Sequence, residues 1–375
     1  MFASSVTLFE VFGLKVKVNV SWAFIAILIA WSLAQGYFPA LYAGLPTATY
    51  WWMGIAGVVG LFASILLHEL AHSLVAITYG MEVKSITLWL LGGVAELADE
   101  PPTPKVDFLM AIAGPLMSAA LAGLFYLGAS LAHNIAGAEI LAAVLSYLAL
   151  LNVIVAIFNM IPAFPLDGGH VLRAVLWSVK GNQRYATRVS SKIGSWFGLG
   201  MVGVGFATVI FGMGMHGLWW VLLGMFIRFA ADSSYYHSEI SHVLEGKPIS
   251  DFMTRDPVTV PVDTTARQFL EDWVYKYYHG YFPVVRNGQL VGGVATKNIK
   301  GIAQERLDQH SVANIMDPSS DANTIDALVP ATEALAKMQG SDNSRLMVVE
   351  NGALVGIIAL KDLLRVVSLR MELEQ

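Results

Sequence analysis

The sequence predicts a polytopic α-helical membrane protein followed by a soluble α/β repeat domain. Three observations carry this expectation. The 375 residues are 55 % hydrophobic and only 14 % charged, whereas about a quarter of the residues of an ordinary soluble domain are charged. The charges are uneven: residues 1–228 hold 10 Lys/Arg and 9 Asp/Glu, and residues 229–375 hold 13 and 19. Finally, FPVVRNGQLVGGVATKNI (282–299) recurs as LMVVENGALVGIIALKDL (346–363), 64 residues further on.

The spans come first. A membrane helix needs about 20 mostly apolar residues, and six stretches qualify: roughly 20–37, 52–79, 106–132, 138–161, 193–212 and 216–234. The ten Lys and Arg of residues 1–228 all fall at Lys15 and Lys17, Lys84 and Lys105, Arg173 through Lys192, and Arg228. These sites alternate with uncharged loops near 37–50, 133–137 and 212–217. Positive charge marks the cytoplasmic side, so the pattern predicts six spans with the N-terminus and the C-terminal domain inside, in a cytoplasmic membrane. Between spans two and three, VKSITLWLLGGVAEL (83–97) reads as a short membrane-associated β-hairpin, with DEPPTPK breaking structure before the third span. Irregular backbone at membrane depth is tolerated only where protein or a water-filled cavity surrounds it.

Composition also excludes. The chain has no cysteine, so neither a disulfide framework nor a thiolate metal site is available. A net charge of −5 without basic blocks gives no sign of a nucleic-acid partner.

The chemistry-bearing motif is LLHELAHSL, Leu66 to Leu74, inside the second span. His68 and His72 are four residues apart and share one helix face, which suits two imidazoles to one zinc ion. Glu69 stands where it can take a proton from an attacking water; H-E-x-x-H on a helix is a zinc-hydrolase signature. The bland alternative is two histidines bonded to neighbouring helices beside a neutral glutamate, but ionisable groups inside a span are costly and mark function. A catalytic zinc takes three protein ligands, and HExxH supplies two. His68 lies 12 residues before Gly80, about 18 Å from the end of its span. The fourth span runs in the same direction and breaks at Pro162 and Pro165, leaving Asp167 on unwound chain at a compatible depth. Its bland alternative is a turn after a helix. His170 competes as ligand, or serves the loop. Glu139 sits at the outer end of its span, and Glu96, Asp99 and Asp107 lie in or next to the inner loop.

These residues resemble the site-2 protease family of intramembrane zinc metalloproteases. The match comprises HELAH on the second span, AGPLMSAALAG (113–123), and NMIPAFPLDGG (159–169), which resembles the family's Asn-x-x-Pro-x-Pro-x-x-Asp-Gly pattern. The resemblance covers roughly residues 10–235. It implies His68, His72 and Asp167 as zinc ligands, Glu69 as the base, and Asn159 as a contact to the substrate backbone or oxyanion; an interhelical hydrogen bond is the alternative for Asn159. The implied substrate is a single-span membrane protein whose helix unwinds and pairs with the 83–97 segment by strand addition. A proline at Thr87 is expected to break that edge.

The C-terminal repeat resembles a pair of CBS modules, which pack together and bind adenine nucleotides in the clefts between them. Asn298 and Asp362 occupy the positions expected for ribose contacts, whereas Ala295 and Ala359 replace the usual Ser or Thr for phosphate. A structural or dimerising role is the alternative. Met253, Met316 and the aromatic run WVYKYYHGYF (273–282) read as core. The expected organisation is a membrane domain 1–235, a linker 236–245, a first module 246–308 and a second 309–375. A CBS-regulated transporter or channel is the competing function, and a non-catalytic scaffold that kept a zinc site is a third.

Overall fold

The computed structural model describes residues 5–89, 92–97, 100–212, 216–244, 246–340 and 343–373. The chain divides into two units, Met1–Tyr235 and Tyr236–Gln375.

The first unit opens with β1 (Ser5–Val11) and β2 (Leu14–Asn19). α1 (Val20–Ser32) is capped by Asn19, whose Oδ1 accepts from Ser21 N at 3.0 Å, and it runs through a π-type turn into α2 (Phe38–Leu41). α3 (Thr47–Thr78) starts after Pro46 and stops at Gly80, which takes φ +77°, a left-handed conformation that glycine adopts without strain. β3 (Val83–Trp89) and β4 (Gly92–Leu97) follow. α4 (Pro104–His133) begins with Pro at its first position and a Thr103 cap on Val106 N, two start signals in register. α5 is Glu139–Asn159, α6 Asp167–Lys180, α7 Gln183–Ile210 and α8 His216–Leu244.

Among the described residues, five helical stretches are long and apolar enough to cross a membrane: Val20–Leu41, α3, α4, α5 and α7. Outward-facing side chains such as Ile27 and Trp52, both 71 % exposed, are apolar, as a lipid-facing surface requires. The sixth expected stretch forms the first part of α8. It carries Arg228 and Asp232, 3.9 Å apart one turn on, and these charges lower its apolar character. The expected linker 236–245 is helical as far as Leu244.

The expected hairpin is half of a larger sheet. β3 and β4 pair antiparallel, β2 joins β3 in parallel with Val16 opposite Ile86, and β1 completes the order β1-β2-β3-β4. An isolated hairpin is marginal in water. Here Leu14, Val83 and Ile86 bury against Ala76 of α3 and Val106 and Met110 of α4, which fixes the sheet beside the end of α3. β3 is therefore a central strand, and Thr87 pairs on both sides, with Lys17 and Val94. The edge next to the helices is β4, so proline at Thr87 breaks the sheet's middle rather than an edge. Residues 90–91 of the expected hairpin, and Asp99, lie outside the described residues.

In the second unit β6 (Val260–Pro261), β7 (Tyr281–Arg286), β8 (Gln289–Ala295) and β9 (Asp317–Pro318) form one sheet. β10 (Thr324–Asp326), β11 (Arg345–Glu350), β12 (Ala353–Ala359) and β5 (Thr254–Arg255) form the other. Both hairpins turn on Asn-Gly, with positive φ at Asn287, Gly288, Asn351 and Gly352, the backbone a two-residue hairpin needs. Each module lends a short strand to the other's sheet: β5 pairs with β12 at Gly356, and β9 pairs with β8 at Gly292. Close approach of the exchanged strands and their methionines requires these glycines. A Cβ at Gly356 would stand 2.6 Å from Met253 Sδ, and one at Gly292 3.1 Å from Met316 Sδ. Both methionines pack on apolar cores, as expected.

Candidate functional site

α3 places His68, Glu69 and His72 at the level of α4 and α6. His68 is 5 % exposed. His68 Nε2 lies 3.2 Å from His72 Nε2 and 3.1 Å from Asp167 Oδ2, and His72 Nε2 lies 3.3 Å from Asp167 Oδ1. These three are the one group of its kind among the described residues, with all donor atoms inside 4.8 Å. Metal–ligand bonds of about 2.0–2.1 Å in tetrahedral array put neighbouring donors about 3.3 Å apart, so the spacing fits zinc without rearrangement.

Proton bookkeeping points the same way. His72 Nδ1 lies 2.6 Å from the Met110 carbonyl, and a carbonyl only accepts, so Nδ1 carries the hydrogen. In the neutral ring Nε2 then carries a lone pair toward the Asp167 carboxylate, and a cation between the two would satisfy both. His68 Nδ1 is held by Ser118 Oγ at 2.8 Å. Ligating histidines are oriented by such bonds on their far nitrogens.

Two glycines shape the site. A Cβ at Gly114 of α4 would stand 2.5 Å from His68 Nε2 and nearer still to His72 Nε2. A Cβ at Gly93 of β4 would stand 2.9 Å from Glu69 Cδ and 3.0 Å from its Oε1. The Glu69 carboxylate thus lies along β4, against Gly93 and the Ala95 backbone, one residue from His68 on the same helix.

Asp167 is not on unwound chain. It is the first residue of α6, entered from extended Leu166 and closed by Gly181 at φ +66°. The turn 160–166 doubles back tightly enough that a Cβ at Gly169 would stand 2.5 Å from Phe164 N. An acid in the first turn also meets the positive end of the helix dipole. The sequence signals were present, an acid at the start and Lys-Gly at the stop, but the prolines masked them.

The other expected residues lie elsewhere. His170 stands one turn beyond Asp167, with Nδ1 3.6 Å from Asp107 Oδ1. Asp107 is in the first turn of α4, at the start of the expected third span, and is 2 % exposed. Asn159 closes α5, half-buried and with no side-chain hydrogen bond among the described residues. Sequence reasoning passed over Asn152, which is 1 % exposed and donates to Ser64 Oγ on α3 at 3.0 Å. A polar side chain in so apolar a span was the available signal. In the second unit, Asn298 Oδ1 accepts from Ala295 N at 2.9 Å, and Asp362 begins the helix Leu360–Leu373. Neither lines the polar cleft of about 330 Å³ bounded by Tyr281, Thr296, Lys297, Asp317 and Arg345.

Known proteins match the chain along most of its length. Peptidase family M50 matches residues 56–138 and 129–201, and the CBS domain matches 249–299 and 312–369. The chain is 36 % identical to "Putative zinc metalloprotease Rip3" of Mycobacterium tuberculosis, over 94 % of this chain and 90 % of that one. It is 31 % identical to "Zinc metalloprotease MJ0392" of Methanocaldococcus jannaschii, over 99 % and 98 %. Among solved structures it is similar to "Site-2 Protease from Methanocaldococcus jannaschii", with 29 % identity, a TM-score of 0.43, and coverage of 62 % of this chain and 95 % of that one. The chain belongs to peptidase family M50 and carries a pair of CBS domains behind its peptidase region.

Proposed function

We propose that the protein is an intramembrane zinc metalloendopeptidase that cleaves a peptide bond in or near the transmembrane segment of a single-span membrane protein. The observation carrying this reading is the donor cluster of His68, His72 and Asp167, in which the two Nε2 atoms lie 3.2 Å apart and each lies 3.1 to 3.3 Å from one carboxylate oxygen, with Glu69 beside it.

In this reading His68, His72 and Asp167 hold one zinc ion, and Glu69 is the catalytic base. Bound zinc polarises the scissile carbonyl and acidifies water. The Glu69 carboxylate takes the proton of the attacking water and delivers it to the leaving amine. The Met110 carbonyl keeps a hydrogen on His72 Nδ1, and Ser118 orients the His68 ring. Asn159, at the end of α5, is assigned to the substrate backbone or oxyanion. The substrate strand adds to β4, whose outer edge adjoins Glu69, and Val94 there is 39 % exposed. An apolar cavity of about 370 Å³ walled by Trp22, Phe62, Trp89 and Trp219 suits the apolar side chains of such a substrate.

The proposed topology has six spans, α8 supplying the sixth, with the N-terminus and CBS pair on the cytoplasmic side of the cell inner membrane. The proposed organisation is a protease domain 1–235, a connection 236–245, and modules 246–308 and 309–375. The CBS pair regulates cleavage by binding an adenine nucleotide and joins two copies into a homodimer. Lys297 and Arg345 of the polar cleft supply charge for phosphate; Asn298 and Asp362, the expected ribose contacts, lie outside that cleft.

The test is cleavage of a co-expressed single-span substrate. Wild type should release the cytosolic fragment and Glu69→Gln should not, with zinc retained in both. Release by Glu69→Gln would overturn the mechanism.

A further inference from the structure

The three proposed ligands come from two helices, and one stripe of a third helix holds both. Asp107, Met110, Gly114 and Ser118 follow at intervals of three, four and four along α4, which is one helix face. Met110 and Ser118 bond the far nitrogens of His72 and His68, and Gly114 admits both rings. Asp107 has a different partner. Arg173 of α6 donates Nε to Oδ2 at 2.7 Å and Nη2 to Oδ1 at 2.5 Å. Both residues are buried, at 5 % and 2 % exposure.

This pair is not explained by the ligand set, and burial of two charges is a poor route to stability alone. Its position gives it another use. Arg173 lies on α6, the helix whose first residue is Asp167. Its guanidinium also sits 5.5 Å over the Phe164 ring, and that ring is 4.4 Å from His170. The turn before Asp167 and the helix after it are thereby tied to α4 at one point. A planar guanidinium bonded at two atoms fixes orientation as well as distance.

We infer that the Asp107–Arg173 pair is a latch that positions Asp167, registering α6 on the α4 stripe that already orients the two histidines. Asp107 and Arg173 are positioning residues; neither is among the proposed ligands. The inference rests on the reading of His68, His72 and Asp167 as zinc ligands.

The test uses the full-length protein purified in detergent. Zinc affinity is measured by chelator competition, and the visible spectrum of the cobalt-substituted protein reports ligand geometry. The double variant Asp107→Leu/Arg173→Met removes both charges together and leaves no unpaired ion buried. Arg173→Lys keeps the charge and loses the two-point clamp. We expect zinc affinity to fall about 10- to 100-fold in the double variant, the range for groups that orient metal ligands, and to fall less in Arg173→Lys. The cobalt spectrum should shift in both. A pair with a purely structural role would lower the melting temperature and leave affinity and spectrum of the folded protein unchanged; that result overturns the latch. If the double variant does not fold, Arg173→Lys decides by the same readouts. Wild type lacking one zinc per chain would overturn the ligand reading and the latch with it; wild type holding zinc with variants that match it would overturn the latch alone.

Discussion

Replacing Gly114 by alanine adds one methyl group to the wall of the site and nothing else. Its Cβ would lie 2.5 Å from His68 Nε2 and 2.6 Å from His72 Cε1. Non-bonded carbon contacts are comfortable at about 3.5–4.0 Å, so each ring must withdraw by about 1 Å. The rings are held from behind by Ser118 and the Met110 carbonyl, so withdrawal strains those bonds or breaks them. A zinc–nitrogen bond is about 2.0–2.1 Å long, and a shift of about 1 Å in two ligands removes both from coordination. We expect zinc affinity to fall at least about 100-fold, about 2.7 kcal/mol. Helix α4 should suffer no loss, because alanine is favoured over glycine in a helix interior by about 0.5–1 kcal/mol. The prediction is therefore a split: metal affinity falls by at least about 100-fold, while the metal-free protein still folds and loses no more than about 1–3 kcal/mol, the cost of overpacking. Wild-type zinc affinity in Gly114→Ala would refute the placement of both imidazoles.

Further expectations follow from the same geometry. Gly93→Ala presses on the Glu69 carboxylate and should lower the cleavage rate at least about tenfold with zinc retained, a misplacement effect of the kind that costs up to about 100-fold; single-turnover cleavage reads it. Gly292→Ala would bring a Cβ to 2.5 Å from the Asp317 carbonyl oxygen, so thermal unfolding should show the second unit destabilised by about 1–3 kcal/mol. Burial, reinforced by Asp317 and opposed by Arg345, pushes the Tyr281 phenol up to about 12. Because that lies above the ordinary value of about 10, the neutral phenol's contribution to stability is complete below about pH 10 and is lost as pH rises through the folded value. The ultraviolet difference titration of wild type against Tyr281→Phe should show this one phenol ionising late.

The parts of the site that carry charge in an apolar helix were legible in the sequence. HELAH announces itself because charge in a span has few other uses, and Asp167 follows from the break in the next downward span. What stayed hidden was pairing between distant residues. Asp107 follows DEPPTPK at the start of the expected third span, but its burial becomes visible only once Arg173 of α6 is beside it. The N-terminal LKVKV alternates as a strand does, yet its partner in the sheet is more than sixty residues away, as Val16 opposite Ile86 shows. The exchanged strands Thr254–Arg255 and Asp317–Pro318 are too short to have a period. The 64-residue repeat predicted the two modules but not their interlocking. Gly114 is unremarkable until two imidazole rings occupy the space its side chain would fill.

The central claim is that His68, His72 and Asp167 hold one zinc ion with Glu69 free beside it. Zinc K-edge absorption on the purified full-length protein tests it directly, with metal content measured on the same sample. The account predicts one zinc per chain, coordinated by two imidazole nitrogens and oxygen donors at about 2.0–2.2 Å, unchanged in Glu69→Gln and reduced in Asp167→Ala. A protein without zinc, or a coordination sphere that Asp167→Ala leaves intact, would contradict it.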